Sequence, residues 1–342
     1  WTVKDRWANS YYGHMIQREL LHDPTRFAGL VDICNKLFDG WEKHAIAGPT
    51  QFDRDIYNLM ELFEPHLRMR YREQLRGSRE LERLGIQHDA PIVCLMVRDA
   101  AFLPGLAYHS FRDADIDTYE QAALALAKRG YWVMRMGAKV AKPFSVNYPK
   151  IFDYATSKMR SEFMDIYLAW RCKFAISTST GWDALPQVFR KPICYTNFPQ
   201  WEYLPTWQPK SLAIWKHHEK AGRRMAIAEI IESKIGQVMR AEELKAAGIT
   251  LVDNTAEEIT ASVLEMVEWV EGRWCPWEQT GFWERYPKNN SAFNGLPLHG
   301  EMRLRIGQEF LLEAESVQRQ ENTRDDPSAR RLASDPSSRE RT

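Results

Sequence analysis

The chain has 342 residues, 44% of them hydrophobic, which is enough for one large domain or two. Lys plus Arg and Asp plus Glu number 46 each, so no net field favours nucleic acid or an acidic membrane surface. No apolar run reaches the roughly 18 residues of a membrane span, no secretory leader is recognisable, and the five cysteines are widely spaced with no CxxC, as expected of reduced thiols in a cytoplasmic protein rather than disulfides or metal ligands.

Residues 1–88 are mostly helical in pattern, with apolar residues at helical spacing over 15–21, 26–41 and 53–67. Residues 68–83 are strongly charged and predict an exposed helix that Gly85 ends. His14, in Tyr12-Gly13-His14-Met15, is expected just before the first helix, where a loop histidine can act as a base; the alternative is an ordinary surface histidine.

At Pro91 the texture changes. Residues 91–97 form a continuous apolar run, a buried strand that delivers Arg98 and Asp99 at its C-terminal end. A loop with His109, Ser110, Phe111, Arg112 and Asp113 follows, then a helix to about Lys128 with Asp117 and Glu120 as a capping box. Residues 131–134 predict a second strand ending at Arg135-Met136-Gly137, and Ser161 caps a helix over 162–171. Residues 174–176 are a third strand, closed by Ser177-Thr178-Ser179-Thr180-Gly181. A short helix over 182–189 and a strand over 192–196, with Asn197 beyond it, come next. Past Pro199 the chain is aromatic and expected to be irregular, with helices at 225–233 and 240–247 and a short strand at 249–252. A helix begins at Asn254-Thr255, and a last one spans 302–312. Trp274, Trp277, Phe282 and Trp283 are expected as packing aromatics, and residues 316–342 as a disordered tail.

Strands alternating with helices predict an α/β fold with a parallel sheet, whose ligands bind beyond the strand C-termini. Those ends carry Arg98, Asp99, Arg135, Gly137, Ser177 to Gly181 and Asn197. A Ser/Thr/Gly turn before a helix can hold a phosphate through backbone N–H groups, with hydroxyls of Thr178, Ser179 and Thr180 as further donors. The plainer alternative is an N-cap with a tight turn. Arg98 and Arg112 suit bidentate phosphate recognition, or else pair structurally with Asp99 and Asp113. Asp99 and Asp113 are alternative bases to His14. No P-loop, GxGxxG, HExxH or GxSxG motif occurs.

The ordered series Val97-Arg98-Asp99, Ser110-Phe111-Arg112-Asp113, Gly130-Tyr131, Arg135-Met136-Gly137, Tyr154-Ala155-Thr156-Ser157, Phe163-Met164-Asp165, Ser177 to Gly181 and Asp253-Asn254-Thr255, with Tyr12 to Met15 and Arg305-Ile306-Gly307 at the ends, resembles a bacterial family of glycosyltransferases. More distantly it is similar to fucosyltransferase-like enzymes of the GT-B fold. The resemblance implies two Rossmann-like domains facing across a cleft: a mostly helical acceptor-side domain at 1–88, incomplete because little chain precedes Tyr12, and a nucleotide-sugar domain at 89–275. Residues 276–315 would form an aromatic segment and a helix returning to the first domain. It also implies a nucleotide-sugar donor held by Arg98, Arg112, Arg135, Gly137, Ser177 to Gly181 and Asn197, a glycan or lipid-linked acceptor, no cofactor and no metal. The expected location is the cytoplasm, with peripheral contact at the inner membrane where glycan acceptors are made.

Overall fold

The structure is a computed structural model that describes residues 7–19, 30–31, 33–41, 54–101, 105, 107–275, 292–293, 296–297 and 299–325. Helices α1 (Ser10–Glu19), α2 (Leu59–Leu62) and α3 (Tyr71–Arg83) come first. Strands and helices then follow as β1 (Ile92–Met96), α4 (Glu120–Lys128), β2 (Trp132–Arg135), β3 (Ile151–Phe152), α5 (Glu162–Arg171), β4 (Phe174–Ser177), α6 (Ala184–Val188), β5 (Ile193–Phe198) and β6 (Leu212–Trp215). The rest is β7 (His217–Lys220), β8 (Arg223–Arg224), α7 (Ile227–Ser233), α8 (Ala241–Ala247), β9 (Ile249–Val252), α9 (Ala256–Val270), β10 (Ala292–Phe293), β11 (Leu296–Pro297), β12 (Arg305–Ile306) and α10 (Gln308–Asp325).

A seven-stranded sheet in the order β12-β6-β5-β4-β1-β2-β3 organises these elements, and every neighbouring pair is parallel. The chain starts at β1, adds β2 and β3 on one side, then crosses back to lay β4, β5 and β6 on the other. That is the doubly wound, Rossmann-like order, and its direction reverses between β1 and β4. The α/β expectation therefore holds. β6 and β12 lie where the sequence predicted irregular chain or helix: four and two residues are too short for periodicity to reveal. β9 was expected as a strand but pairs antiparallel with β7, outside the parallel sheet.

Successive residues of a strand face opposite sides. Ile92 and Cys94 enter one buried cluster with α3, α5 and α6, while Val93, Leu95 and Val97 enter another with α4 and α9. The charged helix α3 is not simply a solvated face. Leu81 is buried, and Gly77 lies so close to α5 that a Cβ there would sit 2.2 Å from the Tyr167 ring. Met15 of α1 joins the same cluster, so α1 and α3 pack onto this sheet's helical layer.

The caps are mostly those expected. Ser161 Oγ accepts from the Met164 amide at 3.2 Å, and Thr255 and Glu258 form a reciprocal box at the start of α9. Asp115, rather than Asp117, caps the turn that leads into α4, accepting from the Asp117 amide at 3.0 Å. α10 runs on to Asp325, so residues 316–325 of the expected disordered tail are helical; the rest of the tail lies outside the described residues. α10 rests mainly on α9 and α7 rather than on the N-terminal helices. Its Phe310 also reaches the sheet, meeting Trp215 of β6 edge-on at 4.8 Å. Trp274 stacks on Trp269 at 4.5 Å, whereas Trp277, Phe282 and Trp283 lie outside the described residues. Cys94, Cys172 and Cys194 are buried free thiols, and Cys34 and Cys275 are exposed. Among the described residues no helix is long and apolar enough to cross a membrane.

Candidate functional site

In a sheet of this order ligands bind beyond the strand C-termini at the point where the order reverses, here beyond β1 and β4. The two chain segments that leave these strands are stitched together there: the Arg98 amide donates to Thr178 Oγ1 at 2.8 Å. Arg98 and the hydroxyl turn, far apart in sequence, thus share one strand edge.

The turn is built around a residue the sequence reading missed, Asp183. Its buried carboxylate accepts from the Ser177 hydroxyl, from the Thr180 amide at 2.9 Å and from the Thr180 hydroxyl at 3.1 Å. Burial pushes this carboxyl up to about 6, although the bonds from Ser177 and Thr180 and the charge of Arg112 pull it down. The expectation that the turn's hydroxyls face a ligand needs correction. Thr180 is spent on Asp183, while Thr178 is fully buried and accepts from Arg98. At Thr180 the plainer reading, a capped tight turn, describes the geometry. Ser179 has φ 64°, and Gly181 is exposed with open space where a Cβ would stand. The signal was present in the sequence: Asp183 follows Thr180 by three residues, the spacing of a capping box.

Cations gather beside the turn. Arg98 Nε lies 3.2 Å from Asp113 Oδ1, and Arg112 donates to the Ser179 carbonyl at 2.8 Å. Burial, and then the neighbouring charge of Arg98, lowers the Arg112 pKa. Lys216, which no local pattern marks, is 3% exposed; its Nζ donates to the Asp113 carbonyl and to Asp253 Oδ1 at 2.7 Å. Burial raises the Asp113 carboxyl despite the opposing charges of Arg98 and Lys216. His109 is a third unpredicted member. Burial and the charges of Arg112 and Arg98 lower its pKa.

The other predicted residues have different places. Asp99 accepts from the Ala101 and Ala141 amides at 2.9 and 2.8 Å, tying the loop after β1 to the loop after β2. Arg135 is 1% exposed and turns inward to Asp153 at 3.4 Å and the Lys142 carbonyl. Gly137 has φ 152°, and a Cβ would press to 2.6 Å from Val140. Asn197 is fully buried and exchanges two hydrogen bonds of 2.6 Å with Asn254, locking the end of β5 to the start of α9. His14 is not in a loop. It is exposed on α1, a helix anchored by Glu162 and Glu73, and makes no hydrogen bond to the strand-end cluster.

Arg98, Arg112, Asp113, Thr178 and Ser179 therefore come together, while Arg135, Asn197 and Thr180 are drawn into the framework and His14 lies exposed on α1. Two clefts lie elsewhere. One is bounded by Trp215, His218 and Phe310; the other, about 620 Å³ and open to solvent, is bounded by Arg190, Lys191 and Trp207 near the strands' N-terminal edge. Among the described residues no group of three or more His, Cys, Asp or Glu is placed to hold a metal ion. No protein-family model matches the chain, and neither a curated protein nor a solved structure matches it.

Proposed function

We propose that this protein is a glycosyltransferase that moves a sugar from a nucleotide-activated donor to a hydroxyl of a polysaccharide or surface-glycan acceptor. The observation that carries the reading is the meeting of Arg98, Arg112 and the Ser179 turn at the point where strand order reverses. The motifs behind the resemblance to glycosyltransferases supply these same residues. Arg98 and Arg112 hold the donor diphosphate and match the charge that builds on it as the sugar–phosphate bond breaks. The acceptor oxygen forms the new bond to the anomeric carbon and gives its proton to a carboxylate. Asp113 is the best-placed candidate base, because it lies beside Arg98 and burial makes its carboxylate more basic. Asp99 is occupied by loop amides, and His14, exposed on α1, makes no hydrogen bond to this cluster. In this reading the parallel sheet is the donor half of a GT-B arrangement, residues 1–88 belong to the acceptor side, no metal is required, and the protein works in the cytoplasm at the inner face of the membrane.

Two observations favour a second reading, a nucleotide- or glycan-binding protein without turnover. Asp183 already occupies hydrogen-bonding groups of the turn, and Asp113 already faces Arg98. Calorimetric titration of nucleoside diphosphates, with hydrolysis assays on a panel of nucleotide sugars, separates the two. Arg98→Ala is expected to remove a charge-assisted contact of about 1.5–3 kcal/mol, roughly ten- to a hundredfold in affinity. Arg98→Lys should restore only part, since lysine lacks the fork geometry. Unchanged affinity in Arg98→Ala ends the phosphate-anchor reading, and binding without turnover of any donor favours the binding protein.

A further inference from the structure

Three nitrogens of the strand-end cluster are buried without a hydrogen-bond partner: Arg98 Nε, Arg112 Nε and His109 Nδ1. Arg98 Nε has Asp113 within ion-pair distance, but not in hydrogen-bonding geometry. Buried polar groups are nearly always paired, and an unpaired one costs about 1–3 kcal/mol. These three belong to side chains within electrostatic reach of one another, since both arginines act on His109. They come from two segments, the end of β1 and the turn at residues 107–112. Arg240 reaches the same place from the residue before α8, its guanidinium 5.0 Å from the Tyr108 ring centroid, and that ring lies 4.1 Å from the His109 ring.

We infer that His109 is a third contact for the phosphate held by Arg98 and Arg112, and that it takes up a proton as the phosphate binds. This rests on the donor-site reading above. The groups that face His109 are Arg98 with its partner Asp113, Arg112, Arg240 and the backbone at Met239. Without ligand, burial and three cations keep the ring neutral near pH 7; only the hydrogen bond with the Met239 backbone acts the other way. A phosphate among these groups reverses the local balance and favours the imidazolium. Its proton comes from solvent, and both ring nitrogens then donate. Binding is accordingly linked to proton uptake, and affinity rises as pH falls from about 8 to about 6.

The probe is inorganic pyrophosphate, titrated calorimetrically at pH 6.5 in two buffers of different ionisation heat, into the wild type, His109→Gln and Arg98→Ala. The pyrophosphate's own protonation is common to all three, so the difference between wild type and His109→Gln isolates the histidine. The expected result is more protons taken up by wild type than by His109→Gln, with the affinity ratio between them growing about three- to tenfold between pH 8 and pH 6. If His109→Gln does not fold, the titration of the His109 ring followed by NMR in the wild type decides, and an upward shift on adding pyrophosphate is expected. Equal proton counts, or an unmoved ring titration, overturn the inference; if Arg98→Ala still weakens binding, the donor-site reading survives. No binding of pyrophosphate to wild type overturns both.

Discussion

Asp183 shows how one side chain changes what a motif means. The Ser/Thr/Gly turn has the composition of a phosphate cradle, yet its own carboxylate accepts the hydrogen bonds that an incoming anion would need. Its raised carboxyl has a consequence for stability. The folded state holds this proton more tightly than the unfolded chain, whose Asp titrates near the ordinary 3.8. As pH rises from about 4 to about 6, the native carboxyl must be ionised in a buried site and stability falls through that window. Asp183→Asn removes that ionisation. Urea denaturation at pH 4, 5, 6 and 7 should show the wild type losing stability relative to Asp183→Asn across the window; parallel pH profiles would refute the assignment. At Arg98 a neighbouring carboxylate decides similarly what remains for a ligand: Asp113 sets how much of the guanidinium is available.

At the scale of elements, the contact of α3 with α5 turns on Gly77. Glycine in a helix interior costs roughly 0.5–1 kcal/mol relative to alanine, so an exposed site would gain from Gly→Ala. Here the opposite is expected. The added Cβ would stand 2.2 Å from the Tyr167 ring, which is 2% exposed and has its hydroxyl 3.2 Å from Ser78 Oγ. Overpacking of this kind costs about 1–3 kcal/mol and exceeds the gain in propensity. Melting curves of Gly77→Ala should show a lower Tm, and adding Tyr167→Leu should recover part of the loss from the clash. A Gly77→Ala protein as stable as wild type would mean that α3 does not pack this closely. The strongly charged sequence of α3 concealed the contact, because one glycine on a polar helix carries no periodic signal.

For the whole molecule, acid sensitivity follows from where its histidines sit. His218, on β7 under the C-terminal helix, is 1% exposed, and burial pushes its pKa down to about 4, helped by the neighbouring His217. His299 is lowered to about 3, again mainly by burial. A histidine depressed in the native state contributes stability that is complete above the unfolded value near 6.5 and is lost as pH falls toward the folded value. Stability should therefore decline from pH 6.5 toward 4. His218→Gln should flatten that decline by on the order of 2–3 kcal/mol. Equilibrium denaturation of both proteins over this range tests it, and an equally steep decline in His218→Gln would refute it. Over pH 4 to 6 the buried Asp183 acts in the opposite sense, so the two variants separate the contributions.

The amino-acid pattern alone carries the alternation of strands and helices from Pro91 onward and the charged or hydroxyl residues that end the strands. Buried parallel strands are continuous apolar runs, and the polar residues that stop them are local facts. It also marked Arg98, Arg112 and Asp113, because an arginine-rich loop after a strand has a chemistry of its own. The packed fold is what sets β4 beside β1 and brings Thr178 to the Arg98 amide across 80 positions of chain. It also turns Arg135 and Asn197 inward, since whether a strand-end side chain meets water or a partner depends on elements remote in sequence. Lys216 and His109 stayed hidden for the same reason: each acquires its meaning from charges delivered by other segments, and a charge's influence follows distance through space rather than along the chain.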